Sequence, residues 1–181
     1  MLTPKSRKMG YKLDQSPFYC LQSKTKLARL LRSSPTKLKE LTVSKDLYTE
    51  EEIFDPKRNK SRLVEKPKPE LKRIQKRIEE LLKRIELPNY IHGPAKGRSY
   101  VSNAKTHINC FVVRSLDIEK YFPSTRSKDI YWFFYNHMKC SPDVAGILTK
   151  LSTYKEHLPT GSPVSPILSY FAHLNMWKEP D

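Results

Sequence analysis

The stretch FVVRSLDIEKYFPST, residues 111–125, decides how the rest of the chain is read. It opens on Phe111, Val112 and Val113, passes Arg114 and Ser115, and reaches Leu116, Asp117 and Ile118. Such a short apolar run, rich in β-branched and aromatic residues, predicts a buried strand. A carboxylate near its tip has two readings. It caps a helix or pairs with Arg114 or Lys120, or it ligates a hard cation such as Mg2+ beside the backbone carbonyl of Ile118. Sites that hold two ions about 3.5–4 Å apart need several carboxylates. The second reading therefore asks for partners elsewhere in the chain.

Composition narrows the partners. The 181 residues carry 34 Lys+Arg against 19 Asp+Glu, a net charge of +15 and a pI near 9.7. Residues 56–98 alone hold 14 Lys/Arg and 5 Asp/Glu. A field of that sign suits a polyanion, nucleic acid first, with a plain solubility charge as the alternative. Cys20, Cys110 and Cys140 are odd in number and lack CxxC spacing, so neither a disulfide framework nor a zinc site is indicated. MLTPKSRKMGYK lacks the apolar core of a signal peptide, and no apolar run approaches a membrane span. The expectation is a reduced, soluble protein of the cytoplasm.

Upstream of the opening stretch, residues 1–45 read as short helices. Leu21, Leu27, Leu30 and Leu31 recur at helical spacing, and SSPTKLKELT sets a serine and a proline at a helix start. A β-hairpin follows, with Tyr48, Ile53 and Phe54 on one arm, DPKRNKS as the loop and RLVEKP returning. PELKRIQKRIEELLKRIEL, residues 69–87, predicts the longest helix. Leu71, Ile74, Ile78, Leu81, Leu82 and Ile85 form its stripe, Pro69 suits its first turn and Pro88 stops it. Glu79 with Lys83 and Glu80 with Arg84 are i,i+4 pairs of the favourable order. The remaining cations read as a solvated face that also suits a border with nucleic acid.

Downstream, a Gly/Pro-punctuated loop enters YVSNAKTHINC, then the strand. STRSKDIYWFFYNHM predicts a helix with Ile130, Phe133, Phe134 and His137 on one side. SPDVAGILTKLSTY starts another, with Val144, Ile147, Leu148 and Leu151 inward. HLPTGSPVSPILSYFAHLNMWKEPD makes a rigid turn and a last helix that stops on KEPD.

These motifs resemble a known family. LDIEKYFPST resembles the first catalytic palm motif of reverse transcriptases, and LPTGSPVSPILS their template- and nucleotide-contacting motif, LPQGxxxSPxLxN. GRSYVSNAKTH resembles the fingers segment of retron reverse transcriptases, whose hallmark NAxxH falls on Asn103, Ala104 and His107. SRLVEKPKPELKRIQKRIEELL is similar to that group's R-x-(I/V)-x-x-P…LK-x-I-Q pattern, with Arg62 as the arginine. The four run in the family's order across roughly residues 40–178. A group II intron-like or defence-associated reverse transcriptase is the neighbouring alternative.

The resemblance implies an α+β fold: a reverse-transcriptase fingers domain and an incomplete palm. Residues 1–45 are the N-terminal helical segment, 46–110 the fingers and 111–181 the partial palm. It makes Asp117 the first metal-binding aspartate and Ile118 the donor of a carbonyl to Mg2+. Phe122 becomes the steric gate that selects deoxyribonucleotides. Arg62 and Arg98 become holders of the triphosphate, and Arg suits phosphate by bidentate hydrogen bonding. Gly161 opens the turn beneath the nascent base pair. The implied partners are a structured RNA template and primer, an RNA–DNA hybrid and deoxynucleoside triphosphates, with anti-phage defence as the setting.

Two departures stand out. Thr160 replaces the family's glutamine, a longer side chain that reaches the incoming sugar. The Y-x-D-D hairpin that supplies two further carboxylates is absent from these residues: no Asp-Asp pair occurs, and after the turn only Glu179 and Asp181 are acidic. A second chain supplying that half is one expectation, and a non-catalytic RNA-binding protein derived from a reverse transcriptase is the other. Without palm partner strands, Val112, Val113, Ile167 and Leu168 are expected to be exposed.

Overall fold

The computed structural model describes residues 10–56, 59–95 and 97–177; KEPD, with Glu179 and Asp181, lies outside them. Its elements mix helix and strand. In chain order they are α1 (Lys24–Leu30), α2 (Pro35–Val43), β1 (Tyr48–Asp55), β2 (Lys60–Pro67), α3 (Pro69–Leu82), α4 (Tyr100–Lys105), α5 (Tyr121–Ser124), α6 (Ser127–Trp132), α7 (Pro142–Ser152) and α8 (Ser165–Ala172).

Local chemistry sets the starts. The Ser23 hydroxyl accepts from the Lys26 N–H at 3.2 Å to cap α1, and Ser34 accepts from Lys37 at 3.1 Å to cap α2 with Pro35 in its first turn. The expected hairpin forms, antiparallel from Tyr48 opposite Pro67 to Asp55 opposite Lys60, and the ladder takes in Asp55, Lys60 and Ser61, expected in the loop. It is the one sheet among the described residues.

The predicted stripe of α3 is buried throughout, with Leu71, Ile78 and Leu82 fully so. The helix nevertheless ends at Leu82, five residues before Leu87. Beyond it the chain pairs with the segment ahead of α1. Tyr11 donates its N–H to the Arg84 carbonyl at 3.0 Å, and Glu86 donates to Tyr11 at 2.9 Å. This tertiary bridge takes the backbone groups that another helical turn would use. Glu79 pairs with Lys83 at 2.6 Å as expected, but Glu80 turns back to Arg77 at 2.8 Å instead of to Arg84.

Helices α1, α2, α3, α6, α7 and α8 contribute to a single hydrophobic core. A π-helical turn, Phe133–His137, follows α6. It sets Phe133 stacked on Phe171 at 4.9 Å, and Phe134 edge-on to Phe18 at 6.2 Å.

The clearest correction falls on the opening stretch. Residues 111–118 form no strand and are exposed along their length, Phe111, Val112 and Leu116 almost fully. A strand needs a ladder partner for its N–H and C=O groups, and the described residues provide none there. The expected exposure of Val112 and Val113 holds, whereas Ile167 and Leu168 are fully buried on the core face of α8.

Candidate functional site

The turn between α7 and α8 is built on the hairpin. Gly161 donates its N–H to the Glu65 carbonyl of β2 at 3.1 Å. The Thr160 hydroxyl donates to the Leu63 carbonyl at 3.1 Å and accepts from the Glu65 N–H at 3.2 Å. One main-chain bond and two side-chain bonds thereby fasten Thr160 and Gly161 to the β2 edge. This contact demands glycine: a Cβ on Gly161 would lie 2.6 Å from the Glu65 carbonyl oxygen and 3.2 Å from Val64 Cγ1. Its φ is not left-handed, so proximity is the constraint here.

Buried polar side chains fix the turn from two more directions. Gln75 of α3 is fully buried. Its amide donates to the Tyr48 hydroxyl at 2.7 Å and the Leu151 carbonyl at 2.9 Å, and its oxygen accepts from Ser162 at 2.7 Å. Burial pushes the Tyr48 phenol far up from its ordinary value. Glu65, 4% exposed, faces His157 Nε2 with both carboxylate oxygens at 2.9 and 3.0 Å, while His157 Nδ1 lies 2.9 Å from the Lys155 carbonyl. The His157 ring thereby links the buried Glu65 side chain to the Lys155 carbonyl. The buried Glu65 side chain is thus hydrogen-bonded rather than left without a partner.

The same turn meets the second half of the opening stretch. Leu158 donates its N–H to the Thr125 carbonyl at 3.0 Å, and Tyr121 donates its hydroxyl to the Ser169 carbonyl of α8 at 3.0 Å. Phe122 on α5 is half-buried, 6.0 Å from the Tyr121 ring. Phe122 therefore lies between two residues, Tyr121 and Thr125, that are bonded to α8 and to the turn carrying Thr160 and Gly161.

The other sequence-derived residues stand apart from it. Asp117 is exposed and has no hydrogen bond or ion pair among the described residues, so neither Arg114 nor Lys120 holds it; Lys120 lies 3.9 Å from Glu119 instead. Ile118 is 44% exposed. Arg62 is exposed on β2, on the strand whose Leu63 and Glu65 carry the turn. Arg98 directs its guanidinium to the carbonyls of Pro88 and Ile91 and to Asn89 Oδ1. Asn103 and His107 are exposed in and just after α4.

Among the described residues no three His, Cys, Asp or Glu side chains gather where one ion could be held. One exposed carboxylate and one carbonyl do not by themselves fit a two-metal centre. No described helix is long and apolar enough to cross a membrane.

Comparison with known proteins bears on the family. No family model matches the chain. Retron Se72 reverse transcriptase of Salmonella heidelberg (strain 579083-10) is 40% identical over 128 residues, 70% of this chain and 33% of that protein. Over this stretch the chain is of the retron reverse transcriptase type. Retron Ec86 reverse transcriptase of Escherichia coli is 30% identical over 128 residues, and retron Mx162 reverse transcriptase of Myxococcus xanthus 33% identical over 109. The chain spans 38% and 22% of those two, so it corresponds to well under half of the length of these curated relatives. A mixed helix-and-strand structure agrees with a reverse-transcriptase fold.

Sequence reading missed Glu65, Gln75 and His157 as the residues that fix the retron-type turn. Gln75 left a signal: it sits four residues after Leu71 and one after Ile74, inside the apolar stripe, where a polar side chain must find partners. Glu65 left a weaker one, as the single acid in a basic returning arm.

Proposed function

We propose that this chain is the fingers (residues 46–110) and first palm portion (residues 111–181), behind an N-terminal helical segment (residues 1–45), of a retron-type RNA-directed DNA polymerase. In this reading the complete enzyme copies a structured RNA into DNA from deoxynucleoside triphosphates, in the setting of anti-phage defence. The 40% identity to retron Se72 reverse transcriptase over 128 residues carries the reading. The bonds that Tyr121 and Thr125, on either side of Phe122, make to α8 and to the turn carrying Thr160 and Gly161 support it.

Asp117 and the Ile118 carbonyl are the ligands these residues offer to a Mg2+ pair, and the other carboxylates come from outside them. Phe122 acts as the gate against a 2′-hydroxyl. Arg62 and Arg98 take the triphosphate, Arg98 after giving up its carbonyl contacts. Thr160 does not reach the sugar, because its hydroxyl is committed to β2.

Losing one member of a catalytic set that acts as a unit already costs orders of magnitude in rate. The 181 residues alone are therefore expected to show no primer extension on an RNA template with Mg2+. Extension by the purified chain, abolished by Asp117→Asn, would refute this.

The second reading is a non-catalytic RNA-binding protein descended from a reverse transcriptase. The exposed, unpartnered Asp117 favours it. The nucleotide sequence beyond codon 181 discriminates: a Y-x-D-D codon run there, in frame or shifted, supports the polymerase. If none is found there and no partner chain restores extension, the binding protein is favoured.

A further inference from the structure

We propose that the groove between α2 and α3 is a second nucleic-acid contact, binding the RNA phosphate backbone without reading bases. The proposal rests on the RNA-binding reading above and adds a site to it. The groove encloses about 420 Å³ between the α1–α2 turn, α2 and α3. Five cations line it, Arg32, Lys37, Arg73, Lys76 and Arg77, against two acids.

The acids are already committed. Glu70 is held by Lys37 at 2.9 Å and Glu80 by Arg77 at 2.8 Å. Arg77 also donates Nε to the Leu30 carbonyl at 3.0 Å, which ties α3 to the end of α1. Arg32, Arg73 and Lys76 are exposed and make no hydrogen bond or ion pair among the described residues. Arg32 and Arg73 feel Glu80 and Glu70 only through space, and with five cations against two acids the groove keeps a net positive charge.

The groove is not part of the turn assembly. Gln75 meets the turn from α3, and at 100° per residue positions 73 and 77 lie about half a turn away from it on the helix. Its floor, Leu31, Leu41 and Ile74, is buried, and no aromatic side chain lines it. A protein partner would look for an exposed apolar or aromatic centre, and a base would look for a stacking platform. Guanidinium and ammonium donors without either fit phosphate oxygens.

Arg32 supplies a clean probe. α1 ends in a Schellman motif: Ser33 donates its N–H to the Ala28 carbonyl at 2.9 Å and Arg32 to Arg29 at 3.1 Å, with Arg32 left-handed at φ 54°. Glycine is the usual residue there. Arg32→Gly thus removes a cation while leaving the fold as stable or more so.

The test is binding of a mixed-sequence single-stranded RNA oligonucleotide to the purified full chain, from about 50 to about 200 mM salt. The triple variant Arg32→Gly, Arg73→Gln, Lys76→Gln is compared with wild type and with Lys26→Gln, Lys128→Gln, Lys150→Gln, a matched loss of exposed charge. Three lost phosphate contacts make the slope of log K against log salt shallower by about 2 on a single strand, so wild type loses about 16-fold more affinity than the groove variant across that range. The matched variant keeps most of the wild-type slope, and all three proteins unfold at wild-type temperature or above. If wild type binds no RNA, the underlying reading fails. If wild type binds but the groove variant keeps its slope, or both triples fall equally, the groove proposal alone fails and its cations serve another partner such as an acidic protein.

Discussion

Gly161→Ala tests whether the turn really rests on β2. The added Cβ would lie 2.6 Å from the Glu65 carbonyl oxygen and 3.1 Å from its carbon, closer than side chains tolerate. Both are backbone atoms of a paired strand, so the turn has to withdraw. Withdrawal lengthens the Gly161 N–H to Glu65 bond and the two bonds made by the Thr160 hydroxyl. Each hydrogen bond contributes about 0.5–1.5 kcal/mol net, and a buried group left unpaired costs about 1–3 kcal/mol. Losing one or two of the three gives a destabilisation of about 2–4 kcal/mol. At about 2–4 °C per kcal/mol for a chain of this size, the melting temperature falls by about 4–16 °C. Circular dichroism against temperature or urea reads this directly. Gly146→Ala is the control, since a Cβ there meets nothing within 4 Å inside α7, and helix propensity predicts a gain of about 0.5–1 kcal/mol. A Gly161→Ala protein as stable as wild type would refute the docked turn.

Gln75→Leu keeps the volume but strands the Ser162 hydroxyl, the Tyr48 hydroxyl and the Leu151 carbonyl; it should cost about 2–4 kcal/mol in urea unfolding, and a neutral result would mean the network adds nothing. The cysteines should divide by burial: Cys20 and Cys110 are exposed and alkylate in the folded chain, while Cys140 does not. Burial pushes the Cys140 thiol up to about 12, so Cys140 stays unlabelled until the chain unfolds. Mass spectrometry of the labelled protein checks this, and early modification of Cys140 would refute its placement.

What was legible in the sequence was what neighbours along the chain decide. Ser23 and Ser34 announce helix starts because a cap acts across three residues. The stripe of α3 follows from periodicity alone, whereas the hairpin was legible only as two arms and a loop: Asp55, Lys60 and Ser61, read as loop, are paired in the strands. The end of α3 was not legible, because the pattern through Ile85 is equally satisfied by burial against Tyr11 without helix. Glu80 looked paired to Arg84 until α3 carried Arg77 to the same carboxylate. In the site, Thr160 and Gly161 were found by motif, but what they touch depends on β2, some 95 residues earlier. No local pattern records a contact of that range.

The opening stretch shows the same limit from the other side. Phe111, Val112, Val113 and Leu116 specify burial on both faces, and side-chain pattern is all a sequence reading can use. A strand, however, is a property of a pair, because its backbone groups are satisfied only by a neighbour. Residues 121–125 of the same motif find their partners in α8 and the turn, and are held there by Tyr121 and Thr125. Residues 111–118 find none among those described and stay exposed. The motif therefore divides at the residues around Lys120. Its C-terminal half is fixed by this chain's own contacts and places Phe122. Its N-terminal half, which carries Asp117, is the part whose position a further strand would have to set. In the polymerase reading proposed above, the element that pairs with residues 111–118 is what sets the position of Asp117.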